Sequence, residues 1–246
     1  LKDYENNYFE YTKHSKISDI VELTKPRLAG LVMVTVLVGT ILAPGHINFF
    51  LGLWAFFLIF LVAIGSTTLN CYVERDVDAL MNRTRDGALP AKRMKPDMAL
   101  MLGGSFILVA VPLLAITINV LTAVLSLISA LLYIYAYTPM KQKSETAVYV
   151  GAIPGALPPV LGWTAVTGSL DLMAILLFAI LFIWQLPHFM AISIFHDSDY
   201  GAAKIKVYPN EKGLSLTKIL IVAFTFILLV VSLLPNLIGS ASNVYR

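Results

Sequence analysis

Long apolar runs separated by short polar breaks dominate the chain. They extend over roughly Leu28–Ala43, Phe49–Leu69, Met98–Ile118, Val120–Thr138, Ala147–Val166, Leu170–Phe195 and Leu216–Leu237. About 20 apolar residues in helical form cross the hydrocarbon core of a bilayer. The later runs meet that length, and the first is short enough to borrow Thr24–Arg27 as its opening turn. None shows the period-two alternation of barrel strands, so helices are the expected spanning structure. Pro26, Pro44, Pro139 and Pro235 sit at run ends, where a missing N–H does least harm. Pro112, Pro154, Pro158, Pro159 and Pro187 lie inside runs and predict kinks. No internal repeat is visible. The expected architecture is an all-α integral membrane protein, a polytopic bundle of seven transmembrane helices over 28–246, preceded by a polar segment, 1–27.

Composition agrees with this reading and removes alternatives. Apolar residues make up 58% of the chain and charged residues 13%, and mean hydropathy is +0.78. Soluble domains average about 45–50% apolar and 25% charged. A disordered chain and a soluble nucleic-acid binder are excluded despite a pI near 8.9, so the partner expected is the lipid bilayer and not nucleic acid. Cys71 is the single cysteine, which forbids an intrachain disulfide, and four scattered histidines make no structural zinc site.

Charge placement sets the orientation. Every Lys and Arg except Arg246 falls before the first run or in the 71–97, 138–146 and 196–218 breaks. The intervening turns near Pro44–Asn48, Ile118–Leu121 and Thr167–Leu170 carry none. All acids except Asp171 lie on the basic side as well. The positive-inside rule assigns that side to the cytoplasm or its organellar equivalent. The first 27 residues carry five acids and no apolar core, unlike a secretory signal or an acid-poor transit peptide. A bacterial plasma membrane is therefore expected, with the mitochondrial inner membrane as the alternative.

Two polar clusters share this face. Asn70, Glu74 and Asp78 follow the second run at i, i+4, i+8, and stack along one face if the helix continues; Asp76 points elsewhere. Oxygen ligands just past the hydrocarbon edge suit Mg²⁺, which takes one or two carboxylates and completes its shell with water and phosphate. Arg75, Arg83 and Arg85 stand near enough in sequence to meet phosphate oxygens. The second cluster runs from His196 through Asp197 and Asp199 to Lys204 and Lys206. Either cluster alone reads equally as a solvated loop. Together they can each hold one cation, the pair bridging a diphosphate, with Lys204 and Lys206 neutralising the remainder. Within the sixth run, Gln185 and His188 face the bundle interior or a cavity, or else bond neighbouring helices. Gly151 and Gly155 form a small-x-x-x-small pair of the close-packing kind.

These motifs occur in an order that resembles the haem farnesyltransferase branch of the UbiA superfamily of intramembrane prenyltransferases. The resemblance runs from about Leu23 to Pro209. It rests on Leu-Thr-Lys25-Pro26-Arg27, on Asn70-Cys-Tyr-Val-Glu74-Arg-Asp76-Val-Asp78 with Met81 and Arg83-Thr84 behind it, and on Tyr137-Thr-Pro-Met-Lys141. Gly155-Ala-Leu-Pro158-Pro159, Gly162-Trp163-Thr-Ala-Val-Thr-Gly168, Trp184-Gln185-Leu-Pro187-His188-Phe189 and Asp199-Tyr200 complete it.

The resemblance implies a nine-helix bundle with a central cavity, two of whose helices have no counterpart in this chain. It implies Mg²⁺ as cofactor, and transfer of farnesyl from farnesyl diphosphate to the 2-vinyl group of haem b, giving haem O for a haem A synthase downstream. Carried over by position, Asn70, Glu74, Asp78 and Asp199 are the catalytic and metal residues. Arg27, Arg75, Arg83, Tyr137, Lys141, Gln185, His188 and Lys204 are the substrate-binding ones. The chain departs from the family in three places: at Glu74, where Asp is usual; at Arg85-Asp86-Gly87-Ala88-Leu89-Pro90, in place of a run to Arg-Pro-Leu; and at Lys204-Ile-Lys206-Val-Tyr208-Pro209, in place of Ile-Pro-Met-Leu-Pro. Two other functions compete: prenylation of an aromatic acid or quinone precursor, and ion-coupled transport. Transport sites usually lie near mid-membrane in repeated halves, whereas both acidic clusters here lie at run ends.

Overall fold

The computed structural model describes residues 16–237. The start of the polar segment and Arg246 lie outside the described residues. Among those described there is no strand, and the elements run α1 (Lys16–Thr24), α2 (Pro26–Leu42), α3 (Phe49–Asp78), α4 (Pro96–Thr117), α5 (Val120–Leu131), a π turn (Leu132–Tyr137), α6 (Thr138–Met140), α7 (Ala147–Thr167), α8 (Leu172–Phe195), α9 (Asp197–Ala202), α10 (Tyr208–Lys212) and α11 (Leu214–Leu237). Among the described residues six spans are long and apolar enough to cross a membrane: α3, α4, the continuous Val120–Met140 rod, α7, α8 and α11. A seventh forms if the bent α1–α2 pair is one span.

The first span differs from its sequence reading. α2 has 17 residues, a rise of about 26 Å. Thr24–Arg27 is not its smooth opening turn: Lys25 adopts φ 46, ψ 57, and the chain bends there by 40°. The sequence supplies a cause for the break, because the residue before a proline is disfavoured in the right-handed helical region. The polar segment is also not featureless, since α1 forms within it.

α7 is the centre of the bundle. It packs against α2, α5 and α8, and 67% of its apolar window is buried, against 6% for α11 at the rim. α2 and α7 meet backbone to backbone. A β-carbon on Gly39 would overlap the Pro159 carbonyl, and one on Gly162 the Val36 carbonyl. The prolines inside α7 remove internal hydrogen bonds, and a neighbour supplies one: Pro158 cannot donate to the Pro154 carbonyl, which instead accepts from Ser129 Oγ at 3.2 Å. At the far end, Asp171 caps α8 by accepting from Ala174 N–H and takes the Trp163 indole N–H at 3.1 Å. The one acid off the polar face is thus a helix cap.

Candidate active site

α3 is a 30-residue helix, about 45 Å long, against about 30 Å of hydrocarbon. Its last turns therefore project past the membrane edge while remaining helical, and Asn70, Glu74 and Asp78 line up on one face. All three are buried, at 2%, 8% and 8% exposure. Asp76 points out, its side chain 85% exposed.

Burial of these groups is matched by partners. Asn70 Nδ2 donates to Glu74 Oε2 at 2.8 Å and to Thr138 Oγ1 at 3.0 Å. Glu74 Oε1 meets Lys141 Nζ at 2.6 Å, and that ammonium lies 4.8 Å from the centre of the Tyr137 ring. Burial alone would drive Lys141 toward its neutral form. Tyr137 and the Glu74 carboxylate more than reverse this and hold its pKa above the ordinary lysine value. Thr84 Oγ1 donates to the Asp78 carbonyl at 2.8 Å, folding the following loop back over the helix end.

The π turn places two of these partners. Pro139 has no N–H to donate, and the preceding turn winds wide, with Thr138 N–H and Thr138 Oγ1 both reaching the Tyr133 carbonyl. This brings Thr138 against Asn70 and carries Tyr137 and Lys141 to the carboxylates. Gly151 of α7 gives room for the Tyr137 ring, which a side chain there would strike.

The second cluster lies across from the first. Asp199, on the short helix α9, accepts from the Asn82 backbone N–H at 3.3 Å. Below it Met81 packs with Ala203 and Ile205, flanked by Val77, Tyr200 and Val207. A pocket opens alongside, lined by Tyr137, Lys141, Phe189, Met190, Ser193 and Tyr200 among others. One wall is apolar and the other carries the ammonium.

Other residues named from sequence lie elsewhere. Arg27 is exposed, as are Arg83, Arg85 and Lys204. Arg75 turns to its own helix, donating to the Tyr72 carbonyl at 2.6 Å and lying over the Tyr72 ring. Lys206, unlike these, lines the pocket, and it pairs with Glu211 at 3.5 Å. Gln185 takes the helix-bonding alternative: its Nε2 donates to the Ala152 and Leu181 carbonyls, and the amide packs on Gly155. Gly151 and Gly155 thus receive side chains, not a facing backbone. His188 is exposed, stacked on Trp184 at 4.6 Å, and is not among the pocket's lining residues. Thr138 escapes a sequence reading because one threonine in an apolar helix carries no signal of its own. Lys25, in sequence only a member of the Leu-Thr-Lys-Pro-Arg motif, is half-buried, whereas Arg27 is exposed.

Mg²⁺ fits this donor set. Both amide hydrogens of Asn70 are engaged, which leaves its Oδ1 as an acceptor beside the Glu74 carboxylate, with Asp78 two turns on along the same face. Among the described residues no three His, Cys, Asp or Glu side chains gather as a metal group. Mg²⁺ requires none, since one or two carboxylates with phosphate and water fill its shell.

Residues 32–245 match the model of the UbiA prenyltransferase family. The chain belongs to that family. The protoheme IX farnesyltransferase of Anaeromyxobacter dehalogenans (strain 2CP-C) is 44% identical over 93% of this UbiA chain and 78% of its own length. The enzyme of the same name from Anaeromyxobacter sp. (strain Fw109-5) is 46% identical over 88% of this chain and 73% of its own. Among solved structures, a digeranylgeranylglyceryl phosphate synthase superposes with a TM-score of 0.75 at 14% identity, covering 92% of this chain and 79% of that one. A UbiA homologue from Archaeoglobus fulgidus bound to DMAPP and Mg²⁺ gives 0.69 at 18% identity, over 87% and 76%. These two establish the UbiA fold.

Proposed function

We propose that this UbiA chain is a protoheme IX farnesyltransferase that makes haem O from haem b and farnesyl diphosphate with Mg²⁺. The observation that carries the reading is the buried Asn70–Glu74–Asp78 face at the polar end of an apolar bundle, in a chain 44–46% identical to enzymes of that name. The acidic groups sit at helix ends on one side, which argues against ion transport through the span centres.

The reaction breaks the farnesyl C1–O bond, and the diphosphate leaves with the electron pair. The vinyl π pair of haem b forms the new C–C bond to C1. Water then adds to the carbon left electron-deficient, and its proton is released. Asn70, Glu74, Asp78 and, from the facing loop, Asp199 would hold Mg²⁺, which would supply positive charge for the departing diphosphate. Lys141 supplies a fixed positive charge beside Glu74, oriented by the Tyr137 ring. Arg83 and Lys204, on the loops around the site, attract the anion from solvent. The apolar wall of Phe189 and Met190 keeps water from the allylic carbon until the C–C bond has formed. His188 is not among the residues lining this pocket and Gln185 is occupied in helix pairing, so neither is placed against the substrate.

The basic loops support a cytoplasmic polar face, and the reading is completed by a bacterial plasma membrane and a haem A synthase that takes the product. Purified protein incubated with haem b, farnesyl diphosphate and Mg²⁺ yields a haem heavier by farnesyl plus water, detected by mass. Asn70→Ala and Asp78→Ala lose it. Prenylation of an aromatic acid with none of haem would move the chain to another branch of the family.

A further inference from the structure

Part of the pocket is walled by a strap of chain and not by a membrane span. Tyr200, Ile205, Lys206, Val207 and Tyr208 all line it. α9 ends where Lys204 takes φ 53, with the Lys204 and Ile205 N–H groups bonding the Gly201 and Tyr200 carbonyls. This left-handed helix stop turns the chain into the strap. Val207 is extended and Pro209 lies in the first turn of α10, so Tyr208 stands at the corner between strap and helix.

Among the described residues, three polar ties fasten the strap and α10 to the 141–149 segment. The Lys206 N–H donates to the Lys141 carbonyl at 3.0 Å, which joins the strap to the backbone of the site's own cation. Tyr208 Oη donates to Tyr149 Oη at 2.9 Å, and Lys212 Nζ meets Glu145 Oε1 at 3.3 Å. The ties differ in weight. Lys212 leaves 51% of its side chain exposed, and ion pairs so placed contribute little. The tyrosines are half-buried, their rings meet edge to face at 6.1 Å, and Tyr149 is backed by Phe224 of α11 at 6.3 Å. Tyr208 lines the pocket and Tyr149 does not, so this bond runs from the pocket wall into the bundle behind it. Lys204, Lys206 and Lys212 are exposed, so solvent lies on the outer side of the strap.

We propose that Tyr208 is a specificity-determining residue: its bond to Tyr149 latches the strap as a water seal, so that the farnesyl carbon meets its acceptor before it meets water. The proposal rests on the prenyltransferase reading for its substrate. Transfer to haem uses water only after the C–C bond has formed. With the seal loose, the C1–O bond breaks as before and the diphosphate leaves with the electron pair. A water oxygen then bonds C1 and releases a proton, giving farnesol and diphosphate.

The test uses the full chain in lipid nanodiscs with farnesyl diphosphate, haem b and Mg²⁺ in heavy-oxygen water. Mass spectrometry reads the ratio of labelled farnesol to prenylated haem. Cleavage at phosphorus leaves farnesol unlabelled and is thereby set apart. Tyr208→Phe and Tyr149→Phe each delete the bond and keep the ring, so each is expected to raise the ratio about fivefold, the scale of one neutral hydrogen bond. The double variant raises it no further than either single one, because both delete the same bond. A ratio unchanged in both single variants overturns the proposal, whether or not they melt earlier, and so does a double variant whose effects multiply. If Tyr208→Phe does not fold, Tyr149→Phe, whose ring is not part of the pocket lining, decides. Wild-type protein that consumes farnesyl diphosphate but leaves haem b untouched sinks the acceptor assignment; labelled farnesol that rises about fivefold in Tyr149→Phe then still upholds the seal, and an unchanged yield overturns it. Failure to release any diphosphate sinks both.

Discussion

The ion pair between Glu74 and Lys141 is where stability and chemistry can be separated most cleanly. Lys141→Met removes a 2.6 Å contact to a carboxylate whose side chain is only 10% exposed, and lifts a cation off the Tyr137 ring. Glu74 is then left with Asn70 Nδ2 as its one hydrogen-bond partner. Breaking a fully buried pair from one side costs about 3–5 kcal/mol. Lys141 retains 22% side-chain exposure, so water compensates in part and about 2–3 kcal/mol is expected. For a chain of this size that lowers Tm by roughly 5–10 °C. Glu74→Gln alone strands the ammonium and costs a similar amount. The double variant, Glu74→Gln with Lys141→Met, leaves no unpaired charge and recovers about 2 kcal/mol relative to the sum of the singles. Cys71, the single thiol and 8% exposed, supplies the assay, because a fluorogenic thiol reagent reaches it only as the bundle opens. Turnover is lost in all three variants, since both residues belong to the proposed machinery. A double variant whose destabilisation equals the sum of the singles would show that the pair is not coupled and refute the reasoning.

Three further outcomes follow from the same geometry. Gly162→Ala drives a β-carbon into the Val36 carbonyl, and because backbone cannot swing aside as a side chain does, it costs at least about 2–3 kcal/mol; a melting temperature within a degree of wild type contradicts the α2–α7 contact. Gly151→Val pushes on the Tyr137 ring and through it on Lys141, so kcat falls on the order of 100-fold with the thiol of Cys71 still protected; unchanged kcat removes Tyr137 from the positioning of Lys141. The raised Lys141 pKa has a sign: its contribution is complete below the ordinary lysine value of about 10.4 and is lost only as pH rises through the higher folded value. Melting temperature therefore shows no loss from Lys141 between pH 7 and about 9.5, and a falling limb in that window that Lys141→Arg abolishes would contradict this.

Much of the fold is legible in the sequence because hydrophobic run length is read directly by a bilayer. The spans from α3 to α11 lie close to the apolar runs, and the i, i+4, i+8 spacing of Asn70, Glu74 and Asp78 marks the one helix face that the fold goes on to bury. Contacts between distant segments are not legible. Gly39 and Gly162 lie far apart in the chain and show no motif, although they make the closest backbone approach; Gly151 and Gly155 show a motif and make none. Arg27 and Lys25 are equally basic in sequence, and only the fold, bent before Pro26, leaves Lys25 half-buried and Arg27 exposed. That bend has a local signal, the residue-before-proline restriction, which a reading in terms of uninterrupted helices passes over. For His188 the residue type is informative and the direction is not, because an apolar helix with residues buried on several sides offers no unambiguous periodicity.

The placement of the polar site follows from a mismatch of lengths. A helix that ended at the hydrocarbon edge would present its carboxylates to open water, where a diphosphate is screened and an allylic cation is quenched. A helix that placed them at mid-membrane would bear the full desolvation of two carboxylates. α3 does neither, because it outruns the apolar slab by several turns and is then roofed by protein. The 79–95 loop folds back through Thr84 and Arg93, and the 197–207 segment closes through Asp199 and Met81. Loops thus roof the Asp78 end of the site, while Thr138 of the Val120–Met140 span bonds Asn70. Substitutions in those loops should thus change the dielectric around Glu74 and Asp78 while leaving the spans intact. The Arg85–Pro90 stretch, where this chain departs from the family pattern, contains Ala88 and Leu89, which pack against Leu23 at the end of α1. That departure lies in the roof, whereas the one at Glu74 lies in the carboxylate face itself and keeps an oxygen donor there.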